Sequence, residues 1–384
     1  MKFSSFISQK SLTIPPFLVM DILEKALEIE RQGERVIHLE VGEPDFATPK
    51  CIIEAGVKAL REGKTKYTHS LGLLELRQAL AEYYAQKYGK EISPYRIIVT
   101  NGSSPAMFLL FTALLEREDE VILTNPYYSC YPNIINFLGG KVNFVNVYEE
   151  EGFQYQPERV ACQLTPKTKA IIVNSPANPT GSILSPEVIK ALAELGYYLI
   201  SDETYHGLTY ESTEHTVLEF TDQAFVIGSF SKRYAMTGWR LGYLIVPEEF
   251  VRPIQKVQQN FFISANSFVQ WAGIAAIKEA QKEVEEMRAT FNQRRKFIIQ
   301  RLKEIGFDLK FEPLGAFYVL VNVKKFTSDS YSFALDILNR AKVAVTPGID
   351  FGDNAEGYLR FSYANSLENI KEGMDRIENY LANL

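Results

Sequence analysis

The chain has 384 residues, 46% of them hydrophobic, and a formal net charge of −6. At about 100–200 residues per domain, this leaves room for one large domain and a smaller one. The acidic balance argues against a broad basic nucleic-acid-binding face, and without a run of about 18 apolar residues no membrane span is expected.

Residues 1–15 read as an irregular arm without the apolar run and cleavage pattern of a signal peptide. Val19, Ile22, Leu23, Ala26 and Leu27 then recur at helical spacing, with Pro16 suited to the helix start and Gly33 to its stop. A short apolar strand, 36–41, runs into the turn-rich Gly42-Glu43-Pro44-Asp45-Phe46, and a helix is expected over 50–62. Gly63-Lys64-Thr65 resembles the end of a phosphate-binding loop. Such a loop needs a glycine five residues before Gly63, where the chain has Lys58. Tyr67-Thr68 falls in a loop before a helix over 74–88.

Arg96 to Thr100 reads as a strand, Asn101-Gly102-Ser103-Ser104 as a small polar loop, and Pro105 as the opening of an apolar helix from Ala106 to Leu115. A strand, a small turn and a helix N-terminus form a ready anion site, because backbone N–H groups point outward and the helix dipole favours negative charge. Strands are then expected over 120–124, 141–148, 170–174, 197–201, 225–228 and 243–246, with helices between. Such alternation predicts an α/β fold with a mostly parallel, buried sheet and helices on both faces. Ligands of such sheets bind outside the carboxyl ends of the strands. There the chain carries Tyr128, Asn174 and Asn178, Asp202 and Tyr205, and Ser229, Ser231 and Lys232. A helix-rich region over 248–304 follows, then a smaller lobe with strands near 315–321 and at Arg360, and helices over 331–341 and 366–382.

Lys232 lies among hydroxyl, apolar and aromatic residues, with Arg240 eight positions on. A lysine amine becomes a useful nucleophile when desolvation or a neighbouring cation lowers its pKa. The pattern therefore suggests a Schiff-base lysine with an anion-binding arginine beside it. His38, His69, His206 and His215 are scattered without metal-ligand spacing, so no metal site is expected. Cys51, Cys130 and Cys162 are odd in number and far apart, which fits a reducing cytoplasm better than a disulfide framework.

From about Pro15 to the C-terminus the chain resembles a class I/II aminotransferase of the pyridoxal-phosphate fold type I superfamily. The resemblance rests on motifs in order: Gly42-Glu43-Pro44-Asp45-Phe46, Tyr67-Thr68, Asn178-Pro179-Thr180-Gly181, Asp202-x-x-Tyr205, Ser229-x-Ser231-Lys232, Gly238-Trp239-Arg240-x-Gly242-Tyr243 and Arg360-Phe361-Ser362. It implies a large cofactor-binding domain over 46–285. A small domain over 286–384 would be joined by residues 1–45. It further implies that Lys232 carries pyridoxal 5'-phosphate and shuttles the substrate proton. Asp202 would pair with the pyridine nitrogen, Asn178 and Tyr205 with the ring's phenolic oxygen, and Tyr128 would stack on the ring. Gly102, Ser103, Ser104, Ser229, Ser231 and Arg240 would hold the phosphate, and Tyr67 would reach the phosphate of a neighbouring subunit in a homodimer with shared sites. Arg360 would clamp the substrate carboxylate, with Gly42 and Asn178 close to it and Asn174 in support.

The implied reaction moves an amino group from an amino acid to a 2-oxo acid by a ping-pong mechanism. A carbon–sulfur lyase or decarboxylase on the same scaffold is the alternative. Some aspartate-using relatives carry a lysine at the position of Ser104, which weakens an aspartate-specific reading. Phe17, Phe261 and Phe262 are candidates for an apolar pocket wall, with core or dimer interface as the other reading. Alanine, branched-chain and aromatic donors stay open, with glutamate and 2-oxoglutarate as the pair that the resemblance favours. Residues 11–20 are a candidate segment for closing over the site.

Overall fold

The computed structural model describes residues 6–384, so the first five residues of the expected arm lie outside it. The rest of the arm is not wholly irregular, since Gln9–Thr13 forms a short helix, α1. Helix α2, Leu18–Arg31, buries Val19, Ile22 and Ala26 on one face. It is followed by strand β1, Ile37–His38, and helices α3, Lys50–Arg61, and α4, Leu74–Tyr88. Gly89 ends α4 with φ of 65°, the left-handed conformation that glycine adopts without a Cβ penalty.

Strand β2 spans Ile97–Thr100, and helix α5 spans Ser103–Leu114. The helix therefore begins three residues earlier than expected. Gly102 is its N-cap, and Pro105 sits in the first turn, where the N–H that proline lacks has no helical partner anyway. The chain continues through β3, Glu120–Asn125, α6, Cys130–Phe137, β4, Lys141–Asn146, α7, Pro157–Ala161, and β5, Thr168–Asn174. Then come α8, Pro186–Ala193, β6, Tyr198–Asp202, β7, Ala224–Ser229, and β8, Gly242–Ile245. Three helices follow: α9, Glu248–Phe261, α10, Ser267–Glu279, and α11, Gln281–Glu304. The last elements are β9, Tyr318–Asn322, α12, Ser330–Ala341, β10, Val343–Ala344, β11, Thr346–Pro347, β12, Tyr358–Ser362, and α13, Leu367–Leu381.

Seven strands form the main sheet in the order β2-β8-β7-β6-β5-β3-β4. All its pairings are parallel except those of β8, which runs antiparallel to β2 and β7. Strand side chains alternate between faces, and the alternation divides the interior in two. Ile97, Val99, Ile171, Val173 and Val226 enter one core, while Ile98, Ala170, Ile172, Phe225 and Ile227 enter the other. Helix α5 is apolar almost all round because it is buried against the second face.

A smaller antiparallel sheet, β11-β12-β9, and the parallel pair β1–β10 share a third core with α12 and α13. Two expected strands are shorter than the sequence suggests. Only Ile37 and His38 of the 36–41 stretch pair with a neighbour, and β9 starts at Tyr318 because Ala316 turns the chain with φ of 57°. Helix α11 joins two cores: Val284 and Met287 pack beside the main sheet, and Phe291, Ile298, Ile299 and Leu302 beside the small one.

Candidate active site

A cavity of about 250 Å³ opens at the carboxyl ends of the main strands. Lys232 follows β7 and reaches into it, donating from Nζ to the Gly42 carbonyl at 2.6 Å. Its pKa is pushed down to about 8, first by removal from water and then by Arg360 and Arg240, against the opposing pull of Glu43. Such an amine is in part neutral near physiological pH, as a nucleophile or proton carrier must be.

One end of the cavity is lined by Ser103, Ser104, Ser229, Ser231 and Arg240. The first turn of α5 presents its unpaired N–H groups there. Arg240 adopts a left-handed backbone with φ of 55° and anchors Nη1 on the Thr237 carbonyl at 2.9 Å. Gly102 has φ of 102°, and a Cβ on it would lie 2.5 Å from Nη2 of Arg240. Glycine thus serves twice, in the turn into α5 and in the close approach of the guanidinium. Together these groups make a cradle for a compact anion.

The middle of the cavity carries a buried carboxylate. Asp202, the last residue of β6, accepts from the Tyr131 hydroxyl at 2.6 Å and from the Thr204 N–H at 3.0 Å. Burial raises its pKa, and these two bonds only partly offset that. The Asn174 side chain donates to the Asp202 carbonyl at 3.1 Å and accepts from the Asn178 N–H at 2.8 Å, which locks the β5 and β6 ends together. The Tyr205 and Tyr318 hydroxyls meet at 2.8 Å. Burial pushes the Tyr205 phenol well above its ordinary value, so it stays protonated and can donate. Tyr128 also lines the cavity, with its ring edge-on to Tyr131 at 5.3 Å and to Phe17 at 6.1 Å.

The far end is built around Arg360 of β12. It is buried, not a surface residue of its strand. Nη1 donates to Asn178 Oδ1 at 2.9 Å, and Nη2 donates to the Glu40 carbonyl at 2.5 Å and to Thr346 Oγ1 at 3.1 Å. The guanidinium lies 4.2 Å from the Tyr318 ring centroid and 4.8 Å from that of Phe351. Its Nε is buried without a protein partner.

The cavity lining includes Gly42, Asn174, Asn178, Asp202, Tyr205, Lys232, Arg240 and Arg360, all singled out from the sequence. Tyr67 does not reach it and is 82% exposed. Of the three phenylalanines read as possible wall, Phe17 lines the cavity, with Val19, Met20 and Val41. Phe261 and Phe262 instead pack on Phe108 of α5, away from it. Tyr131, Thr204 and Tyr318 escaped the sequence reading. Only Tyr318 left a trace, in the apolar run 315–321, where nothing distinguishes it from a core residue.

Residues 34–377 match the family described as Aminotransferase class I and II. The chain belongs to that family. It is 44% identical to the (5-formylfuran-3-yl)methyl phosphate transaminase of Methanocaldococcus jannaschii, over 98% of this chain and 99% of that protein. It is 39% identical to the aspartate/prephenate aminotransferase of Thermus thermophilus, over 98% of each chain. Among solved structures, Thermus thermophilus aspartate aminotransferase with maleate superposes with a TM-score of 0.93 at 38% identity, covering 97% of this chain and 99% of that one. A Methanococcus jannaschii protein whose active site is similar to those of kynurenine aminotransferases superposes with a TM-score of 0.91 at 43% identity, covering 98% of this chain and all of the other. The protein is an aminotransferase of the aspartate aminotransferase-like fold, and its family uses pyridoxal phosphate. Among the described residues no helix of the aminotransferase is long and apolar enough to cross a membrane, and no cluster of His, Cys, Asp or Glu could hold a metal ion.

Proposed function

We propose that the cavity binds pyridoxal 5'-phosphate on Lys232 and transfers an amino group between an amino acid with a small or apolar side chain and a carbonyl acceptor. The observation that carries this reading is the lysine amine with its depressed pKa between two arginines at opposite ends of one cavity. The donor set fits the cofactor. The cradle of Gly102, Ser103, Ser104, Ser229, Ser231 and Arg240 suits a phosphate, and the buried Asp202 carboxylate lacks the cation that a protonated ring nitrogen would be. Asn178 and Tyr205 suit the ring's phenolic oxygen, and Tyr128 suits its face.

When bound, the cofactor supplies an electron sink that lets the Cα proton of an amino acid leave. The protein's residues do the rest. Lys232 Nζ would take up that proton and give it back, as general base and then acid. Asp202 keeps a proton on the ring nitrogen. Arg360 lines the cavity and holds the substrate carboxylate, and the Gly42 backbone and Asn178 border it. Phe17, Val19, Met20 and Val41 receive the donor side chain. This apolar stretch of wall supports an apolar or small donor.

The large domain is assigned to residues 46–285, and the small one to 286–384 with 1–45. The three cores and the bridging helix α11 support this division. A homodimer with shared sites is favoured by the exposure of Tyr67 and of Ile53, Val57, Leu60, Phe261 and Ile263. Three free cysteines favour a cytoplasmic setting.

A spectral donor screen tests the assignment. Holoenzyme is mixed with single amino acids, and loss of the absorption of lysine-bound cofactor is followed. Then 2-oxoglutarate, oxaloacetate or (5-formylfuran-3-yl)methyl phosphate is added as acceptor. Conversion by alanine, leucine or phenylalanine that the acceptor reverses is expected. Conversion by aspartate alone would refute the apolar-donor reading.

A further inference from the structure

Helix α2 carries Val19 and Met20 into the cavity wall, and its N-cap is Phe17, which offers no capping side chain. The first N–H groups of such a helix need partners from elsewhere. One comes from far along the chain. Asp350 Oδ1 accepts from the Leu18 N–H at 3.0 Å across 332 residues of sequence. Asp350 is buried and does not line the cavity. Its second oxygen, Oδ2, is buried without a well-formed hydrogen bond of its own, and burial raises the carboxyl pKa against the stabilising pull of the Leu18 and Val19 N–H groups, Arg360 and Ser129.

The short turn that holds Asp350, Gly348–Phe351, is fixed on two other sides. The Ser129 hydroxyl donates to the Asp350 carbonyl at 2.5 Å, and the Tyr127 N–H donates to the Phe351 carbonyl at 3.0 Å. These residues flank Tyr128, whose ring meets Phe17. The Phe351 ring lies against the Arg360 guanidinium. One turn therefore touches the carboxylate clamp, the Tyr128 loop and the start of the apolar wall.

We propose that Asp350 is a positioning residue. By holding the first N–H of α2 it sets how far Phe17, Val19 and Met20 stand from Arg360 and Tyr128, and so the size of the donor side chain accepted. This rests on the reading that the cavity takes an amino donor. The Asp350 side chain bears most directly on the wall, whereas the turn reaches the Tyr128 loop through backbone carbonyls and Arg360 through the Phe351 ring, so loss of the carboxylate raises the KM of bulky donors far more than it changes cofactor binding or small donors.

The test uses holoenzyme and three donors: alanine, leucine and phenylalanine. Asp350→Ala raises KM for leucine and phenylalanine about tenfold, while kcat, the cofactor spectrum and KM for alanine stay within twofold. Asp350→Asn keeps an acceptor oxygen and restores most of the loss. Leu18→Pro removes the donated N–H from the other side at the first helical position, where proline is well tolerated, and it reproduces the same split. Combined with Asp350→Ala it adds nothing further. A uniform loss across donors, no loss, or independent losses that add in the double variant would overturn the proposal. If the wild-type holoenzyme converts no amino acid, the failure lies in the proposed function and not in the role of Asp350.

Discussion

At the Lys232 end of the cavity, the side chains come from neighbouring strand ends of one sheet: Ser229 closes β7, Asp202 closes β6, and Gly102 caps the helix after β2. At the Arg360 end they are gathered from distant segments. Arg360 of β12 bonds the Glu40 carbonyl across 320 residues and Asn178 across 182. The first end is set by the topology of a buried sheet, which fixes where each strand stops. The second depends on how the small sheet and α2 pack against it. On the proposed reading, the cofactor would be held by the strand ends of one sheet and the substrate by segments that the small sheet and α2 bring to it.

Three substitutions sharpen or break that division. Arg360→Leu removes a buried, multiply bonded cation, worth about 3–4 kcal/mol, so kcat/KM should fall roughly 10²–10³-fold. Cofactor affinity should change little; a parallel loss measured by cofactor titration would show that the two ends are not separate. Gly102→Ala acts at the other end. Its φ of 102° disfavours a Cβ, and that Cβ would press on Arg240. Cofactor should dissociate roughly ten to a hundred times more readily, with a far smaller change in KM for the donor. Tyr131→Phe removes one hydrogen bond to the buried Asp202 carboxylate, worth about 1.5–3 kcal/mol for a charged acceptor. A roughly ten- to hundredfold weakening of cofactor binding is expected, and an unchanged dissociation constant would rule out a role for that bond.

The same division explains what was legible in the sequence. Lys232, Asp202 and Asn178 could be read because hydrophobic strands followed by small polar residues announce where a parallel sheet ends, whereas Arg240, which precedes the antiparallel β8, was read from its place eight residues after Lys232. Their spacing also matches motifs of a known family. The start of α5 was misplaced because Pro105 looks like a first helical residue, whereas Gly102 and the two serines already belong to the turn. Tyr131 and Tyr318 stand among apolar residues, and nothing local marks a tyrosine whose hydroxyl finds a partner 71 or 113 residues away. Asp350 was invisible for the same reason. Its partner, the Leu18 backbone, carries no side-chain signature at all. The apolar wall was half legible: Phe17 belongs to it, while Phe261 and Phe262, equally aromatic, pack on α5 instead.

The most direct measurement is cofactor capture by the cofactor-free protein as a function of pH, followed by borohydride reduction and peptide mass mapping. A neutral amine is the attacking species, so the capture rate should rise with pH and level off near the depressed lysine pKa of about 8, not near the ordinary 10.5. The reduced label should sit on Lys232. A label on another lysine, or a capture rate still climbing toward pH 10, would contradict the assignment of Lys232 as the desolvated nucleophile at the centre of the site.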